Sequence, residues 1–402
     1  MNTKLFTKIL SFALVAVMLL PCLASCNLGR NDAGTTTADT SESGTPDSTS
    51  GDNTADQTDA PATDAPGTDA PAVNTYEKED YLLEEHHDRI KITGRSTVTG
   101  NGISVCWSAS GIEFNADCKD KIVMRVKTTG SPKYSVFIDG KLYGTVEFVS
   151  GTKNYDIAEG LTEGMHNVRL VKMTDVESVE SFIRISVNGL LTDRPADKKY
   201  FVEIVGDSIT CGYGLGTKGN TFDNDAVQSW AYLLAQKRGW DYSLVSVGGI
   251  GVAASTERHE GREMGDLYPY TFYKDTKTEY TTERKADLVI IALNTNDDGR
   301  TSQFTQSDYE AKVKELVAAV KKVHGDDVTI AWVSQLMFAS GTCDTWVREV
   351  FRDLGGEAAG YYCLSGTPDS KGQNSHPTSA GQAKNASIID TILNIKKLLP
   401  AK

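Results

Sequence analysis

The chain has 402 residues, 39% of them hydrophobic, and a formal net charge of −13 at pH 7. This length allows more than one globular domain, and an acidic balance without a long basic run excludes a typical nucleic-acid-binding protein. Seven cysteines in so long a chain exclude a disulfide-stabilised scaffold.

The first residues have the features of an export signal. Lys4 and Lys8 precede an apolar stretch, residues 9–20, that is shorter than a membrane span. Residues 23–26, with the sequence LASC, fit a bacterial lipobox, which predicts residues 1–26 as a lipoprotein signal with lipidation of Cys26. The alternative is an ordinary secretory signal cleaved near Ala24. The lipobox interpretation predicts an exported lipoprotein, tethered to the outer face of a bacterial membrane.

Residues 27–75 contain mainly Thr, Asp, Ala, Ser, Gly and Pro, and the motif TDAP begins at Thr58, Thr63 and Thr68. Such a composition offers too little apolar surface to offset the entropy lost on ordering. We therefore predict a disordered, extended tether between the anchor and the folded part.

Residues 76–194 show short alternating apolar runs separated by Gly, Asn and Asp, among them residues 122–126, 134–138 and 168–171. Asp139-Gly140 between two such runs indicates a β-hairpin. The pattern predicts an all-β jelly-roll sandwich. Cys106 and Cys118 can pair across neighbouring strands, or all five cysteines beyond the signal can be free and buried.

Residues 195–402 have a different hydrophobic pattern. Continuous apolar runs, at 201–205, 244–247, 288–293 and 328–333, alternate with helical segments, of which 308–323 and 379–398 are the clearest. Buried strands between helices predict an α/β domain with a parallel sheet covered by helices on both faces.

Two residues of this domain have the chemistry of a nucleophile and its base. Ser208 follows the first apolar run directly, in the sequence Gly206-Asp207-Ser208, and His376 precedes the last helix. The carboxyl ends of parallel strands share one edge of the sheet, so we expect these side chains to meet there. Ser208 can then attack an acyl carbon, while His376 takes its proton and returns it to the leaving group.

Two further blocks supply donors for an oxyanion. Gly249 follows the second apolar run and Asn296 follows the third. The backbone N–H groups of Ser208 and Gly249, with the side-chain amide of Asn296, are predicted to form the oxyanion hole. The histidines and cysteines show no metal-ligand spacing, so we expect no metal ion and no cofactor.

Blocks built around Ser, Gly, Asn and His in this order resemble the SGNH (GDSL-type) hydrolase superfamily. The sequence GDSITCGYG at 206–214 after a β-sandwich, with CWSASGIE at 106–113 and IDG at 138–140, is similar to carbohydrate esterase family 2. The resemblance implies a jelly-roll domain joined to an SGNH domain that removes acetyl groups from plant polysaccharides or oligosaccharides of the xylan and mannan type. It also implies primary 6-position acetates of hexoses as targets.

The sequence departs from the superfamily pattern at two positions. Gln373 stands where an aspartate usually lies three residues before the histidine, which leaves Asn374, Asp369 or a main-chain oxygen to orient the ring of His376. Asn294 stands where a glycine is usual, which predicts altered backbone angles before Asn296.

Two other functions use the same residues. The dyad can act on lipid or aryl esters, as in a lipase. Alternatively, the chain can be a non-catalytic surface lipoprotein that binds glycans. A glycosidase using Asp297 and Asp298 is not favoured by their spacing.

One segment rich in aromatic residues can form a wall of the substrate cleft. Residues 257–273 are predicted either to line the cleft, with Tyr268, Tyr270 and Phe272 as stacking faces, or to form a surface excursion. Trp346, in a predicted polar loop, is the tryptophan expected to face a ligand.

Overall fold

The computed structural model describes residues 74–216, 223–339 and 341–399, all within one compact unit, Asp69–Lys402. The predicted signal peptide with Cys26, and nearly all of the predicted tether, lie outside the described residues. No helix among the described residues has the length and apolar character needed to cross a bilayer.

The N-terminal part is a nine-stranded antiparallel sheet folded around its own core, in agreement with the predicted all-β sandwich. The sheet order is β3-β4-β9-β5-β8-β6-β7, with β1 on β9 and β2 on β5. The strands are β1 Lys78–Leu82, β2 Lys91–Thr93, β3 Ser96–Thr99, β4 Gly102–Val105, β5 Gly111–Thr128, β6 Lys133–Ile138, β7 Lys141–Glu147, β8 Gly151–Lys172 and β9 Glu180–Leu191.

Two strands are much longer than the short runs predicted from the sequence. Strand β5 has 18 residues and β8 has 22, and their pairing shifts register between Cys118 and Val123. Such irregularities bend a strand, so one long strand can follow the curved sheet around the core. The predicted hairpin at Asp139-Gly140 joins β6 to β7, with φ of 51° and 76° at the two residues. These angles suit a two-residue hairpin turn.

The C-terminal part is a five-stranded parallel sheet in the order β11-β10-β12-β13-β14. Its strands are β10 Phe201–Gly206, β11 Asp241–Ser246, β12 Leu288–Ala292, β13 Thr329–Ser334 and β14 Tyr361–Ser365. The helices are α1 Trp230–Arg238, α2 Met264–Leu267, α3 Thr295–Asp298, α4 Gln306–His324, α5 Thr342–Asp353 and α6 Ser379–Ile395.

Helices cover both faces of this sheet, as predicted. Ile204 points into a core that includes residues of α1 and α6, whereas its neighbour Val205 belongs to the core on the side of α4 and α5. Alternating side chains of a buried strand face opposite sides, so each strand contributes to both cores.

The two long helices begin at side-chain caps. The hydroxyl of Thr305 accepts from the N–H of Asp308 at the start of α4, and Thr378 caps α6 in the same way. The observed helices lie within three residues of the predicted boundaries. The second cap matters for the site because Thr378 lies two residues after His376.

A fully buried ion pair connects the sandwich to the parallel sheet. Arg95, between β2 and β3, is 0% exposed and donates to both carboxylate oxygens of Glu203 in β10, at 2.8 and 3.2 Å. The guanidinium lies over the rings of Tyr268 and Tyr280, at 4.3 and 4.1 Å from their centroids. It also donates to the carbonyl of Tyr270 at 2.9 Å, so every face of the group is occupied.

The carboxylate of Glu203 is equally well satisfied. It accepts from the hydroxyl of Tyr268 at 2.6 Å and from Nε2 of His324 at 3.1 Å. Burial alone raises the pKa of Glu203, but Arg95 and the hydrogen bond from His324 outweigh it and hold this pKa well below its ordinary value. Glu203 therefore stays ionised and paired.

We expect the loss of this buried ion pair to cost much more stability than the loss of an ion pair at the surface. Arg95→Met should lower the free energy of unfolding at pH 7 by about 3–5 kcal/mol, because it leaves the buried carboxylate without its partner. Arg184→Met, which removes the exposed ion pair with Asp80, should cost under about 1 kcal/mol. Urea unfolding of the two variants measures both values.

The stability lost in Arg95→Met should depend on pH in a definite direction. In the wild type, the contribution of Glu203 is present above its unfolded pKa, about 4.3, and is lost below it. In Arg95→Met the unpaired carboxyl has a raised pKa, so the deficit should shrink as the pH falls from 7 to 4. A deficit that is equal in both variants, or that grows with acid, contradicts this role.

Candidate active site

Ser208 lies in the first turn after β10. The turn is closed by hydrogen bonds from the N–H groups of Thr210 and Cys211 to the carbonyl of Asp207, both 3.1 Å. A Cβ on Gly206 would lie 2.1 Å from Oγ1 of Thr210, so only glycine allows the chain to turn here. The turn presents Ser208, which is 7% exposed, at the wall of a pocket.

His376 meets Ser208 across 168 residues of sequence. The hydroxyl of Ser208 donates to Nε2 of His376 at 2.7 Å. Nδ1 faces only carbonyl oxygens, those of Gln373 at 3.2 Å and Asn374 at 3.1 Å, so it carries the ring proton. The unprotonated Nε2 is thereby aimed at the hydroxyl, which is the geometry of a general base.

The ring of His376 is oriented by the main chain. Asp369, one of the three options from the sequence, does not reach it: its carboxylate accepts from the N–H and hydroxyl of Thr378, at 2.9 and 2.6 Å. The side chain of Asn374 donates instead to the hydroxyl of Tyr213 at 3.1 Å, so Asn374 acts through its carbonyl alone. Of the three alternatives, the contacts therefore favour a main-chain oxygen, and Asp369 instead helps to start α6.

The segment before His376 is folded tightly to bring those carbonyls to Nδ1. Asn374 and Ser375 have φ of 46° and 60°, in the left-handed region. The ring of Tyr213 packs against the imidazole with 4.3 Å between centroids. Backbone of this kind is costly and persists where neighbouring contacts hold it.

The two predicted oxyanion blocks line the same pocket. Gly249 and Asn296, with Ser208 and His376, border a cavity of about 310 Å³. The amide of Asn296 donates one hydrogen to the carbonyl of Ile250 at 2.8 Å, which holds the side chain in place and leaves the second hydrogen for a ligand. Gly249 has φ +85°, and a Cβ there would lie 2.5 Å from Oγ1 of Thr256.

Asn294 does adopt unusual backbone angles, with φ 104° and ψ −36°. Its side-chain oxygen accepts from the hydroxyl of Tyr309 at 2.6 Å and from Nε1 of Trp332 at 3.2 Å. These bonds to the core hold the strained residue, and Asn296 still borders the pocket. The substitution for glycine therefore does not remove Asn296 from the site.

Burial shifts the titration of the acids beneath the site. It raises the pKa of Asp207 to about 7 and that of Asp297 to about 6, although hydrogen bonds from backbone N–H groups partly offset both shifts. Asp297 accepts from the N–H groups of residues 252–254 and ties the loop after Gly249 to the end of β12. Its position is that of a structural carboxyl, not of a glycosidase acid.

Burial also lowers the pKa of His376, against the opposing effect of its two carbonyl partners. The neutral ring is the form that can accept a proton. His376 is therefore available as a base at lower pH than an ordinary histidine.

Three charged residues line the pocket wall, and two of them, Asp175 and Glu177, have no counterpart in the sequence predictions. Asp175 and Glu177 come from the sandwich, and Arg258 comes from the segment predicted as a cleft wall. Asp175 and Glu177 lie in the connection between β8 and β9, where the sequence carries no catalytic motif. The sequence shows only that they are acidic residues in a segment between two strands.

The predicted aromatic stacking faces are partly wrong. Tyr268 is 0% exposed and its hydroxyl is bound to Glu203, so it cannot face a sugar. Trp346 lies within α5 and packs against Phe304 and Tyr309 rather than in a polar loop. Burial of large aromatic residues is their commoner use.

The lining of the pocket includes no cysteine. All five cysteines in the described residues are free, and four of them are buried. Cys106 and Cys118 therefore do not pair. The described part of the chain also holds no group of three or more His, Cys, Asp or Glu side chains placed to bind a metal ion.

Two family models match the chain in succession. Residues 92–195 match the carbohydrate esterase 2 N-terminal model, and residues 204–384 match the GDSL-like lipase/acylhydrolase family. The first match covers most of the sandwich, and the second contains Ser208, Gly249, Asn296 and His376.

Curated relatives agree with these models. The cellulase/esterase CelE of Acetivibrio thermocellus is 27% identical over 265 residues, which are 63% of this chain and 32% of that protein. An acetylxylan esterase / glucomannan deacetylase of Cellvibrio japonicus is 24% identical over 206 residues, 46% of this chain and 55% of that protein. The chain thus spans about a third and about half of the lengths of these relatives.

A solved structure shares the fold. A family two carbohydrate esterase from Clostridium thermocellum in complex with cellohexaose superposes with a TM-score of 0.71 at 24% identity, covering 77% of this chain and 100% of that one. The family models agree with the order of the two domains and with the positions of the four site blocks. The chain thus joins a carbohydrate esterase 2 N-terminal domain to a GDSL-like lipase/acylhydrolase domain, and family two carbohydrate esterases are among the proteins that it resembles.

Proposed function

We propose that this protein is a carbohydrate O-acetyl esterase that works through a Ser–His acetyl-enzyme. The observation that carries the proposal is the 2.7 Å hydrogen bond from Ser208 to an oriented, unprotonated Nε2 of His376, at the wall of an open pocket. The relatives named as acetylxylan esterase and cellulase/esterase support an ester substrate on a glycan.

The residues divide the reaction into two half-reactions. Ser208 attacks the acetyl carbon as Nε2 of His376 takes its proton, and the negative oxygen that forms is met by the N–H groups of Ser208 and Gly249 and the amide of Asn296. His376 then protonates the departing sugar oxygen. In the second half, His376 removes a proton from water, the resulting hydroxide attacks the acetyl-enzyme, and acetate leaves as Ser208 regains its proton.

The leaving group is proposed to be a sugar hydroxyl of an acetylated xylan or mannan fragment. On the pocket wall, Glu177 offers an acceptor and Arg258 offers donors suited to hydroxyl groups, and both side chains are partly exposed. The family resemblance adds a preference for primary 6-position acetates of hexoses.

Removal of the nucleophile tests the mechanism. Ser208→Ala should lower kcat on p-nitrophenyl acetate and on acetylated xylan by at least about 10³-fold, because no acetyl-enzyme can form. Ser387→Ala, on the exposed face of α6, is the matched control and should keep wild-type rates. Acetate release and p-nitrophenol absorbance measure the two reactions.

The acyl chain of the substrate separates the remaining functions. A series of p-nitrophenyl esters from acetate to decanoate should show its optimum at acetate. A long-chain optimum would instead identify a lipase. Glycan binding without hydrolysis of any ester would identify a non-catalytic lectin, and full activity of Ser208→Ala would reject the dyad.

The pH profile tests the base. Because the pKa of His376 is lowered, kcat/KM should rise with pH through a midpoint below about 6.5, the ordinary histidine value. Asp207 titrates nearby, so Asp207→Asn serves as the control for its contribution. A midpoint above 6.5, or one that moves with Asp207→Asn, contradicts His376 as the titrating base.

The anchor remains a proposal that rests on the sequence. We infer that Cys26 carries a lipid that holds the enzyme on the outer face of a bacterial membrane, where polymeric glycans are accessible. Cys26→Ser should abolish incorporation of labelled palmitate in a bacterial host, whereas Cys22→Ser should retain it. Loss of label only in Cys22→Ser, or label retained in both variants, would exclude lipidation of Cys26.

A further inference from the structure

The connection between β8 and β9 of the sandwich reaches the catalytic pocket. Asp175 lies in this connection and is 3% exposed. One carboxylate oxygen, Oδ2, accepts from the backbone N–H of Gly248 at 3.2 Å and from Nη1 of Arg258 at 3.0 Å. The other, Oδ1, accepts from the N–H of Val176 at 2.9 Å and fixes the carboxylate. A buried acid of the sandwich thus holds the residue before Gly249.

The carbonyl of Gly248 is held from the other side. It accepts from Nε2 of His259 at 3.0 Å and from Nη1 of Arg258 at 3.3 Å. A carbonyl only accepts, so Nε2 of His259 carries the proton and Nδ1 accepts from the hydroxyl of Tyr273 at 3.0 Å. Burial lowers the pKa of His259 to about 4, which keeps this ring neutral.

These contacts set the direction of an oxyanion donor. In a planar trans peptide, the carbonyl of one residue and the N–H of the next point in opposite directions. The plane that contains the carbonyl of Gly248 also contains the N–H of Gly249. Holding the carbonyl toward Arg258 and His259 therefore aims the N–H of Gly249 away from them.

Gly248 lies between the acid and the nucleophile. A Cβ on Gly248 would lie 3.3 Å from Nη1 of Arg258, 3.5 Å from Oδ2 of Asp175 and 3.7 Å from Cβ of Ser208. Gly248 is therefore layered between the carboxylate and the serine that attacks. A shift of the carboxylate is transmitted directly to the Gly248–Gly249 peptide.

Charge makes Arg258 necessary to this arrangement. A bare carboxylate beside the site would oppose the negative charge that develops on the substrate oxygen. Arg258 neutralises Asp175 through Nη1 at 3.0 Å and contacts Glu177 through Nη2 at 2.7 Å. The ion pair keeps the acceptor that Gly248 needs while reducing its electrostatic penalty.

We propose that Asp175 is a positioning residue of the oxyanion hole, supplied by the sandwich, with Arg258 as its counter-charge. The inference rests on the proposed esterase function. It makes the sandwich a part of the catalytic machinery rather than a spacer or a separate glycan-binding module.

Substitutions in the full chain test this role with p-nitrophenyl acetate, which has no sugar to bind elsewhere in the pocket. Asp175→Ala should lower kcat by about 10–100-fold with KM within about threefold, since complete loss of one oxyanion donor costs about 10²–10³. Asp175→Asn keeps an acceptor for Gly248 and should stay within about fivefold of the wild type in kcat. Asp80→Ala, on the exposed surface of β1, is the matched control.

A double variant separates positioning from mere stability. Arg258→Met leaves the carboxylate of Asp175 without its counter-charge and should lower kcat by about tenfold, a barrier change near the 1.36 kcal/mol per decade of rate. Asp175→Asn combined with Arg258→Met removes both charges and should be faster than Arg258→Met alone. Losses that simply multiply would overturn the proposal.

Two further outcomes are decisive. Asp175→Ala with kcat within threefold of the wild type, or Asp175→Asn as slow as Asp175→Ala, also overturns it. If thermal unfolding shows that Asp175→Ala is not folded, the comparison of Arg258→Met with the double variant tests the proposal by itself. Ser208→Ala is assayed in parallel: activity retained there rejects the esterase function, whereas activity lost there but kept in Asp175→Ala rejects only the role of Asp175.

Discussion

The buried pair of Arg95 and Glu203 is the contact on which the geometry of the site depends. Glu203 lies in β10, five residues before Ser208, so the sandwich is fastened to the strand that delivers the nucleophile. Replacing a buried ion pair by apolar residues often stabilises a protein, so such a pair is weak evidence for stability alone. Its directional bonds to both carboxylate oxygens instead fix one orientation of the sandwich. That orientation brings Asp175 to Gly248.

The proposed Ser208–His376 dyad has no carboxylate behind its base. Two neutral carbonyls, from Gln373 and Asn374, hold the proton on Nδ1 of His376. They select the tautomer, as a carboxylate would, but compensate less of the positive charge that forms on the ring when it takes the proton of Ser208. Burial lowers the pKa of His376 against the opposing effect of these two carbonyls, so the ring is a base that stays neutral in mild acid and is correspondingly weaker. In the proposed mechanism, the oxyanion donors therefore supply more of the transition-state stabilisation, and their placement matters more.

The sequence predicts the parts of this protein that depend on local pattern. The buried runs that end at Gly206 and Ala292, and the His376–Thr378 helix start, place the site residues at one sheet edge because parallel strands end together. The same pattern cannot identify Asp175, since nothing in the connection between β8 and β9 indicates which surface it will meet. It also cannot separate Asp369 from a main-chain acceptor, because both lie within reach of His376 in sequence and only the left-handed turn at Asn374 decides between them. Tyr268 was misplaced for a related reason: its partner, Glu203, lies 65 residues away.

The proposed mechanism requires a site with many acids to stabilise an anion. Four carboxyl groups surround the turn that carries Ser208 or border its pocket, namely Asp175, Glu177, Asp207 and Asp297. The three buried carboxyl groups, those of Asp175, Asp207 and Asp297, each have a feature that reduces or compensates their negative charge. Burial raises the pKa of Asp207 to about 7, which favours its neutral form, while Asp297 is surrounded by the N–H groups of residues 252–254. Asp175 has Arg258 and the N–H of Gly248. The acids act through hydrogen bonds as braces for the loops, and local protonation or pairing limits their field at the substrate oxygen. A braced loop needs no reorganisation when charge develops, which is the condition under which fixed N–H dipoles stabilise an oxyanion most.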